Sequence, residues 1–295
     1  MRVGKIDVDD TYCEAFDGLF TRFIITAKDR KRLERAALST TALPSTVFGE
    51  AEGGVERWLD SAETPDGRPG AIVQLWVNYT KNARSVLEHE LGKRVRQGTL
   101  VVPTTAIYNA LDSDESIDTM NKIGHCGDGY EWIEERSGRE VINVPIMAGE
   151  FIIERSLGIK KGIMGANLWF FCRTVDDALE VGERALEAAA IEGVIAPFDI
   201  CSAGSKPETN FPEIGPSTNH PFCPTLKGKI SDYRVPAGVN SIPEIVLDGM
   251  SMEAVSRAMG EAIQAVSGMP GITRVSAGNY GGKLGKHSIW LKDLL

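Results

Sequence analysis

Residues 168–196 read LWFFCRTVDDALEVGERALEAAAIEGVIA and have the pattern of one complete strand–helix–strand unit. Thr174 followed by Asp177 is a capping box, which predicts that a helix begins here. Apolar residues then recur at helical spacing, and Gly193 predicts the end of the helix. The apolar runs before and after this helix predict a strand on each side.

Three further segments repeat this pattern. The predicted strands of the four units are Phe20–Ile25 and Thr46–Phe48, Ala71–Val77 and Thr99–Val102, Leu168–Cys172 and Val194–Ala196, and Glu244–Leu247 and Ile272–Val275. Two such units in tandem make a split β-α-β layer, with helices on one face of a mostly antiparallel sheet. The sequence therefore predicts an α+β protein with two similar ferredoxin-like lobes, residues 1–148 and 149–295. Loop excursions at 50–70 and 201–238 interrupt them, and a cleft between the lobes is the expected place for a ligand.

Composition limits the class of protein. The 295 residues carry a formal net charge of −9 and are 42% hydrophobic, which is typical of a globular protein and argues against nucleic-acid or anionic-membrane partners. No apolar run approaches the roughly 18 residues of a membrane helix, and MRVGKIDVDD lacks the apolar segment of a signal peptide. The five cysteines are widely spaced and odd in number, so we expect a reducing cytoplasm. The four histidines have no ligand spacing, so no metal site is expected.

Glu244 is the first candidate for acid–base chemistry. It begins the predicted strand EIVLDG directly after an irregular segment, and apolar Ile245 and Val246 follow it. A carboxyl group in such a place can have a raised pKa and exchange protons with a substrate. The alternative is an exposed glutamate at a strand end without a chemical role.

Several loops carry polar groups that suit a ligand but equally suit ordinary turns. Glu52 and Glu150 each lie near small residues and a strand. Candidate substrate-binding residues also occur in the turn HCGDGY and in the loops AGSK and GPSTN, namely Asp128, Tyr130, Lys206, Ser217, Thr218 and Asn219. The segment GNYGGKLG (278–285), between two apolar runs, permits close approach of its backbone to a ligand, or forms a hairpin that only reverses the chain.

The chain resembles formylmethanofuran–tetrahydromethanopterin N-formyltransferases, which are enzymes of one-carbon metabolism in methanogenic archaea with relatives in sulfate-reducing archaea and methylotrophic bacteria. The resemblance runs from Asp10 to the C-terminus. Its matching blocks are ETPDGRPG (63–70), PTTAIYNAL (103–111), GDGY (127–130), GEFIIE (149–154), STN (217–219), EIVLDG (244–249) and SAGNYGGKLGKH (276–287).

The resemblance implies that a formyl group moves from the amide nitrogen of formylmethanofuran to an amine nitrogen of tetrahydromethanopterin. It implies a ternary complex of small one-carbon carriers, without metal, redox cofactor or covalent formyl-enzyme, in a homo-oligomer (tetramer or dimer). The family's candidate acid–base glutamate falls on Glu244. Asn279 and the backbone of Gly281 and Gly282 are expected to contact substrate, and the charges of Lys206 and Lys283 suit its carboxylates or phosphate.

The chain also departs from the family pattern. PFDICSAGSK replaces the usual P-F-P-G-G-I stretch, TTALPSTVF replaces T-G-F-G-T-S, Arg96 replaces a glycine, and Pro243 replaces the tyrosine before the glutamate. These differences predict a divergent paralogue. Two alternatives follow: an enzyme acting on a modified one-carbon carrier, or a non-catalytic carrier-binding subunit of a larger complex.

Overall fold

The computed structural model describes all residues 1–295, which form four α-helices and mostly antiparallel strands. The predicted mixture of helices and antiparallel strands is thus confirmed. The helices are α1 Arg30–Thr41, α2 Ala83–Arg94, α3 Val175–Ala189 and α4 Met252–Val266. The strands are β1 Arg2–Val3, β2 Ile6–Val8, β3 Tyr12–Thr26, β4 Ala51–Leu59, β5 Gly70–Asn78, β6 Ala106–Asn109, β7 Ser116–Asp118, β8 Trp132–Arg136, β9 Arg139–Ile146, β10 Gly149–Glu154, β11 Ser156–Cys172, β12 Val194–Ile195, β13 Ser205–Lys206, β14 Ser217–Thr218, β15 Glu244–Gly249, β16 Ile272–Ser276 and β17 His287–Trp290. None of the four helices has the length and apolar character needed to cross a bilayer.

The chain folds into two compact units, one of residues 18–162 and one of residues 1–17 together with 163–295. The first seventeen residues belong with the C-terminal part because β2 pairs parallel to β16 and the start of β3 pairs antiparallel to β17. These bounds differ from the predicted lobes 1–148 and 149–295, and that division of the chain stays a prediction.

In the unit of residues 18–162, β5 lies between β3 and β4 with antiparallel pairing on both sides. β3 also pairs with β6, β6 runs parallel to β10, and β9 lies between β10 and β8. Side chains of α1 and α2, including Leu33 and Leu87, are buried with strand residues such as Phe23 and Val73 in one core.

In the other unit, the C-terminal half of β11 pairs antiparallel with both β15 and β16, and β12 pairs with β15. Helices α3 and α4 bury their apolar stripes against these strands, where Val181 and Ile263 share a core with Phe170 and Leu247. Each fully buried side chain of this size stabilises the fold by roughly 1.5–3 kcal/mol. The third and fourth strand–helix–strand units of the sequence are therefore confirmed.

Two of the eight predicted strands are wrong. Thr46–Phe48 is a single 3₁₀ turn that ends at Gly49, whose φ of 81° is left-handed, and the strand comes later as β4. Residues 95–99 extend α2 as a π-helical turn, and residues 100–103 are turn rather than strand. At this turn Gly98 packs so closely on α1 that a Cβ would lie 2.7 Å from the Thr40 nitrogen. A short apolar run does not distinguish a buried helix end from a strand.

Candidate active site

Glu244 is buried where β15 begins. It lies opposite Trp169 of β11 in the antiparallel register, and its residue exposure is 9%. The Trp169 indole Nε1 donates a hydrogen bond of 3.0 Å to the Glu244 carboxyl Oε1. The alternative of an exposed strand-end glutamate is therefore wrong.

Burial sets the proton affinity of Glu244. Removal from water raises the pKa of its carboxyl group, and this outweighs the hydrogen bonds from the Trp169 indole and the Cys201 side chain, which lower it. Cys201 is held there by two backbone hydrogen bonds of 2.8 Å, which its N–H and C=O exchange with those of Glu244. Cys201 was not among the predicted site residues. The only sequence signal for it is its place in the stretch PFDICSAGSK, where the chain departs from the family.

An apolar pocket of about 350 Å³ lies beside Glu244. Its walls are mostly apolar side chains, including Leu179 of α3, Ile200 and Phe222. The Phe222 ring meets the Trp169 ring edge-on, with centroids 5.0 Å apart. Glu244 is thus a buried carboxyl group in the wall of a largely apolar pocket, and its role in proton exchange stays a prediction.

A polar pocket of about 550 Å³ shares Trp169, Asn219 and Phe222 with the apolar pocket. Its basic lining residues are Lys206, His220, Arg234 and Lys283. Its other polar lining residues include Glu208, Asp232, Asn279 and Tyr280. The structure therefore brings Lys206, Asn219, Asn279 and Lys283, which the sequence named as substrate-binding residues, into the wall of one pocket.

The segment 278–285, called here the glycine loop, is not the turn of a hairpin. The strands predicted on both sides of it are present, but β16 pairs with β2 and β11, whereas β17 pairs with β3. Gly278 lies against the Trp169 ring so closely that a Cβ would be 2.9 Å from Cζ2. The loop therefore belongs to the wall of the site, next to the indole that contacts Glu244.

The carboxylate of Glu14, on β3, lies inside the glycine loop. It accepts hydrogen bonds from the backbone N–H groups of Tyr280, Gly282, Leu284 and Gly285, at 2.6, 2.6, 3.0 and 2.7 Å. Glu14 is fully buried. Burial by itself would raise the pKa of this carboxyl, but the four backbone donors together lower it below its usual value. Glu14 was not among the residues predicted from the sequence. The only feature of the sequence that sets it apart is that a charged residue lies among the apolar residues of YCEAF.

The glycine loop has few free backbone donors. The N–H of Gly282 is donated to Glu14, and that of Gly281 to the Asn279 side chain at 3.3 Å. The side-chain nitrogen Nδ2 of Asn279 in turn donates to the Thr11 hydroxyl and to the Tyr12 carbonyl. Substrate contact by the backbone of Gly281 and Gly282 stays a prediction. Because both N–H groups already donate within the protein, such a contact would involve other backbone atoms of these residues.

The other predicted site residues are distributed over both units. Ser217 and Thr218 form β14, which pairs with the β13 strand that carries Lys206. Four further residues lie in the unit of residues 18–162, away in sequence from Glu244: Glu52, Asp128, Tyr130 and Glu150. No group of three or more His, Cys, Asp or Glu side chains is arranged to hold a metal ion.

None of those four residues lines the two pockets described above. Glu52 is buried and accepts a hydrogen bond from the Thr46 hydroxyl. Asp128 has a left-handed φ of 57° in its turn, where Tyr130 is 77% exposed. Glu150 accepts two hydrogen bonds from the guanidinium of Arg136, at 2.6 and 3.1 Å. A role of these residues in substrate binding stays a prediction.

Two family profiles together cover almost the whole chain, and both describe a formyltransferase. The profile described as "Formylmethanofuran-tetrahydromethanopterin formyltransferase" matches residues 1–146, and the profile described as "FTR, proximal lobe" matches residues 149–294. The chain therefore belongs to the formylmethanofuran–tetrahydromethanopterin formyltransferase family.

Individual relatives match over their full length. A "formyltransferase-like protein" of this family from Archaeoglobus fulgidus is 60% identical over 296 residues, covering 100% of this chain and 98% of its own. The solved formylmethanofuran:tetrahydromethanopterin formyltransferase of Methanosarcina barkeri is 37% identical, with a TM-score of 0.92 and full coverage of both chains. A chain of the formyltransferase/hydrolase complex FhcABCD of Methylorubrum extorquens, solved with methylofuran, is 36% identical with a TM-score of 0.92, covering 100% of this chain and 98% of its own. Higher identity to a "-like" protein than to the solved enzyme fits the predicted divergent paralogue.

Proposed function

We propose that this protein transfers a formyl group from the amide nitrogen of a formylmethanofuran-type donor to an amine nitrogen of a tetrahydromethanopterin-type acceptor, within one ternary complex. The observation that carries the proposal is the buried carboxyl of Glu244 beside Trp169, a residue that lines both pockets. Membership of the family supplies the chemical class of the two carriers.

Glu244 is proposed to move the protons of the reaction. The acceptor nitrogen attacks the formyl carbon, and its proton passes to the Glu244 carboxylate. The tetrahedral intermediate then collapses, the bond between the formyl carbon and the donor nitrogen breaks, and Glu244 returns the proton to that nitrogen. The raised pKa of Glu244 suits this role because a shuttle works best when its proton affinity lies near the working pH.

The two pockets are proposed to hold different parts of the carriers. The apolar pocket offers Trp169 and Phe222 to a flat ring, and the polar pocket offers Lys206, Arg234 and Lys283 to carboxylate or phosphate groups. Because the pockets share three lining residues, two substrates held there lie close to each other. Much of the rate acceleration would then come from holding the two substrates in the correct relative position.

Further aspects of the proposal concern the whole protein. We propose two lobes of ferredoxin-like topology, a homo-oligomeric state, and a mechanism that needs no metal or redox cofactor. A cytoplasmic setting is supported by the five cysteines, all of which are unpaired.

The experiment is a spectrophotometric assay of the purified protein with formylmethanofuran and tetrahydromethanopterin at several salt concentrations. We expect formyl-pterin to form, and we expect Glu244→Gln to lower turnover by at least ~100-fold, the usual scale for losing acid–base catalysis. Glu253→Gln, an exposed carboxylate on α4, is the matched control and should keep full turnover. Near-normal turnover of the Glu244 variant would remove that residue from the mechanism.

A second candidate function is that of a carrier-binding subunit without turnover. The observation that favours it is the solved complex FhcABCD, in which a chain of this family works beside other subunits. Calorimetry with tetrahydromethanopterin distinguishes the two functions. Pterin binding by a folded protein that forms no formyl-pterin at any salt concentration would support the binding subunit and overturn the enzyme.

A further inference from the structure

We propose that Glu14 is a positioning residue of the active site: its ionised carboxylate holds the glycine loop in the shape that places Asn279, Tyr280 and Lys283 in the wall of the polar pocket. The inference deepens the proposed function and rests on it for the identity of the substrates. The geometry of the loop stands independently of that identity.

The loop is wrapped around the carboxylate. Oε1 of Glu14 accepts from the N–H groups of Tyr280 and Gly282, and Oε2 accepts from those of Leu284 and Gly285. The side chain is fully buried. Hydrogen bonds to an ionised acceptor are stronger than neutral ones, so one side chain fixes four donors of an otherwise irregular segment.

The hydrogen bonds between the loop backbone and the Glu14 carboxylate need glycine at particular positions of the loop. Gly281 and Gly282 have left-handed φ values of 71° and 73°. A Cβ on Gly285 would lie 2.7 Å from the Glu14 Cβ and 2.8 Å from the Ala15 carbonyl oxygen. Larger residues would push the backbone away from the carboxylate, so the loop composition is explained by an anion that the protein itself supplies.

Fixing the backbone fixes the side chains that face substrate. The Tyr280 hydroxyl donates to the Ser205 carbonyl at 3.1 Å, next to Lys206 on β13. Tyr280 also lies close enough to Glu244 for that charge to act on its phenol: burial first, then the charges of Glu244 and Glu14, raise the pKa of Tyr280. The phenol therefore stays protonated and remains a hydrogen-bond donor at neutral pH.

The test is amide hydrogen exchange of the full-length protein combined with steady-state kinetics. In Glu14→Gln, an NH₂ group replaces one of the two carboxylate oxygens. An NH₂ group is a donor, so it cannot accept the hydrogen bonds that the loop N–H groups donate to that oxygen. We expect exchange at residues 280–285 to accelerate roughly tenfold or more, the scale for losing a hydrogen bond to a charged group, with little change elsewhere. We expect KM for at least one carrier to rise by a similar factor while kcat changes less, because Glu244 itself is untouched.

Asp17→Asn is the matched control. Asp17 lies on the same strand as Glu14, but it accepts from the side chains of Lys286 and His287 just beyond the loop. This variant should leave the exchange of residues 280–285 unchanged. Gly285→Ala changes the loop instead of the carboxylate, because its added Cβ would displace the loop backbone from Glu14. It should give the same faster exchange at residues 280–285 and the same rise in KM. If Glu14→Gln does not fold, Gly285→Ala serves as the test in its place.

Two results would overturn the proposal. Unchanged exchange at 280–285 in Glu14→Gln would show that the carboxylate does not hold the loop. Faster exchange throughout the unit, with KM unaltered, would show a general structural role instead. If the native protein forms no formyl-pterin, the proposed function fails, whereas the exchange data still decide whether Glu14 holds the loop.

Discussion

At the scale of single residues, the local sequence identified Glu244 but not its partners. Glu244 stands out because it begins an apolar strand after an irregular segment. Trp169 and Glu14 depend on contacts with residues 75 and more than 260 positions away in the chain. No local pattern encodes such contacts, so they required the three-dimensional structure.

The hydrogen bond from Trp169 predicts a shift of the pH profile. Burial raises the pKa of Glu244, and the hydrogen bond from the Trp169 indole offsets part of that rise. Trp169→Phe removes this hydrogen bond and should therefore raise the pKa of Glu244 further. In the proposed mechanism the ionised carboxylate of Glu244 takes the proton of the acceptor, so the acidic limb of the kcat/KM profile should move to higher pH. The measurement is kcat/KM across pH 4–9, and Trp290→Phe, whose ring packs on Tyr12 instead, is the control. An unmoved limb in Trp169→Phe would contradict the assignment.

The same pKa predicts how Glu244 affects stability. Its pKa is raised above the ordinary value of 4.5, so the folded state holds this proton more tightly than the unfolded state. Stability is therefore unaffected by the group below pH ~4 and falls as pH rises through the folded pKa. Glu244→Gln should raise Tm at pH 8 relative to the native protein, and the difference should shrink at pH 4. Equal melting curves at pH 8 would show that burial of this carboxylate is not destabilising.

At the scale of elements, prediction worked where the pattern was long. Helices α3 and α4 carry complete caps and apolar stripes, and both were predicted to within a few residues. The wrong strand at residues 99–102 was a short apolar run, and its conformation depends on packing of Gly98 against α1. Length and capping residues therefore separate the predictable elements from those that tertiary contacts decide.

The capping box of α3 allows a quantitative prediction. The Thr174 hydroxyl accepts from the Asp177 N–H at 3.0 Å, and the Asp177 carboxylate accepts from the Thr174 N–H at 3.0 Å. Thr174→Ala should destabilise the protein by about 1 kcal/mol, which corresponds to a Tm lower by roughly 2–4 °C. Thermal melting measures this effect, and exposed Thr80, outside any helix, is the control position for the same change. A Tm equal to that of the native protein would mean that the cap contributes nothing.

At the scale of the whole molecule, the five cysteine thiols differ in their exposure to solvent. Cys126 is exposed, in the unit of residues 18–162, whereas Cys13 and Cys172 are buried in the other unit. Burial raises the pKa of Cys13 to about 11 and that of Cys172 to about 12, so neither supplies a reactive thiolate at neutral pH. In the native protein, a maleimide should therefore label Cys126 long before either of these two.

Labelling during denaturation then reports on the unit that carries Glu244. Cys13 lies on β3 and Cys172 on β11, but both belong to the same apolar core. If that core unfolds cooperatively, both thiols should become labelled together as urea is added, as measured by mass spectrometry of the labelled peptides. Labelling of Cys13 at clearly lower urea than Cys172 would show instead that residues 1–17 detach first, and that the N-terminal strands are not an integral part of this core.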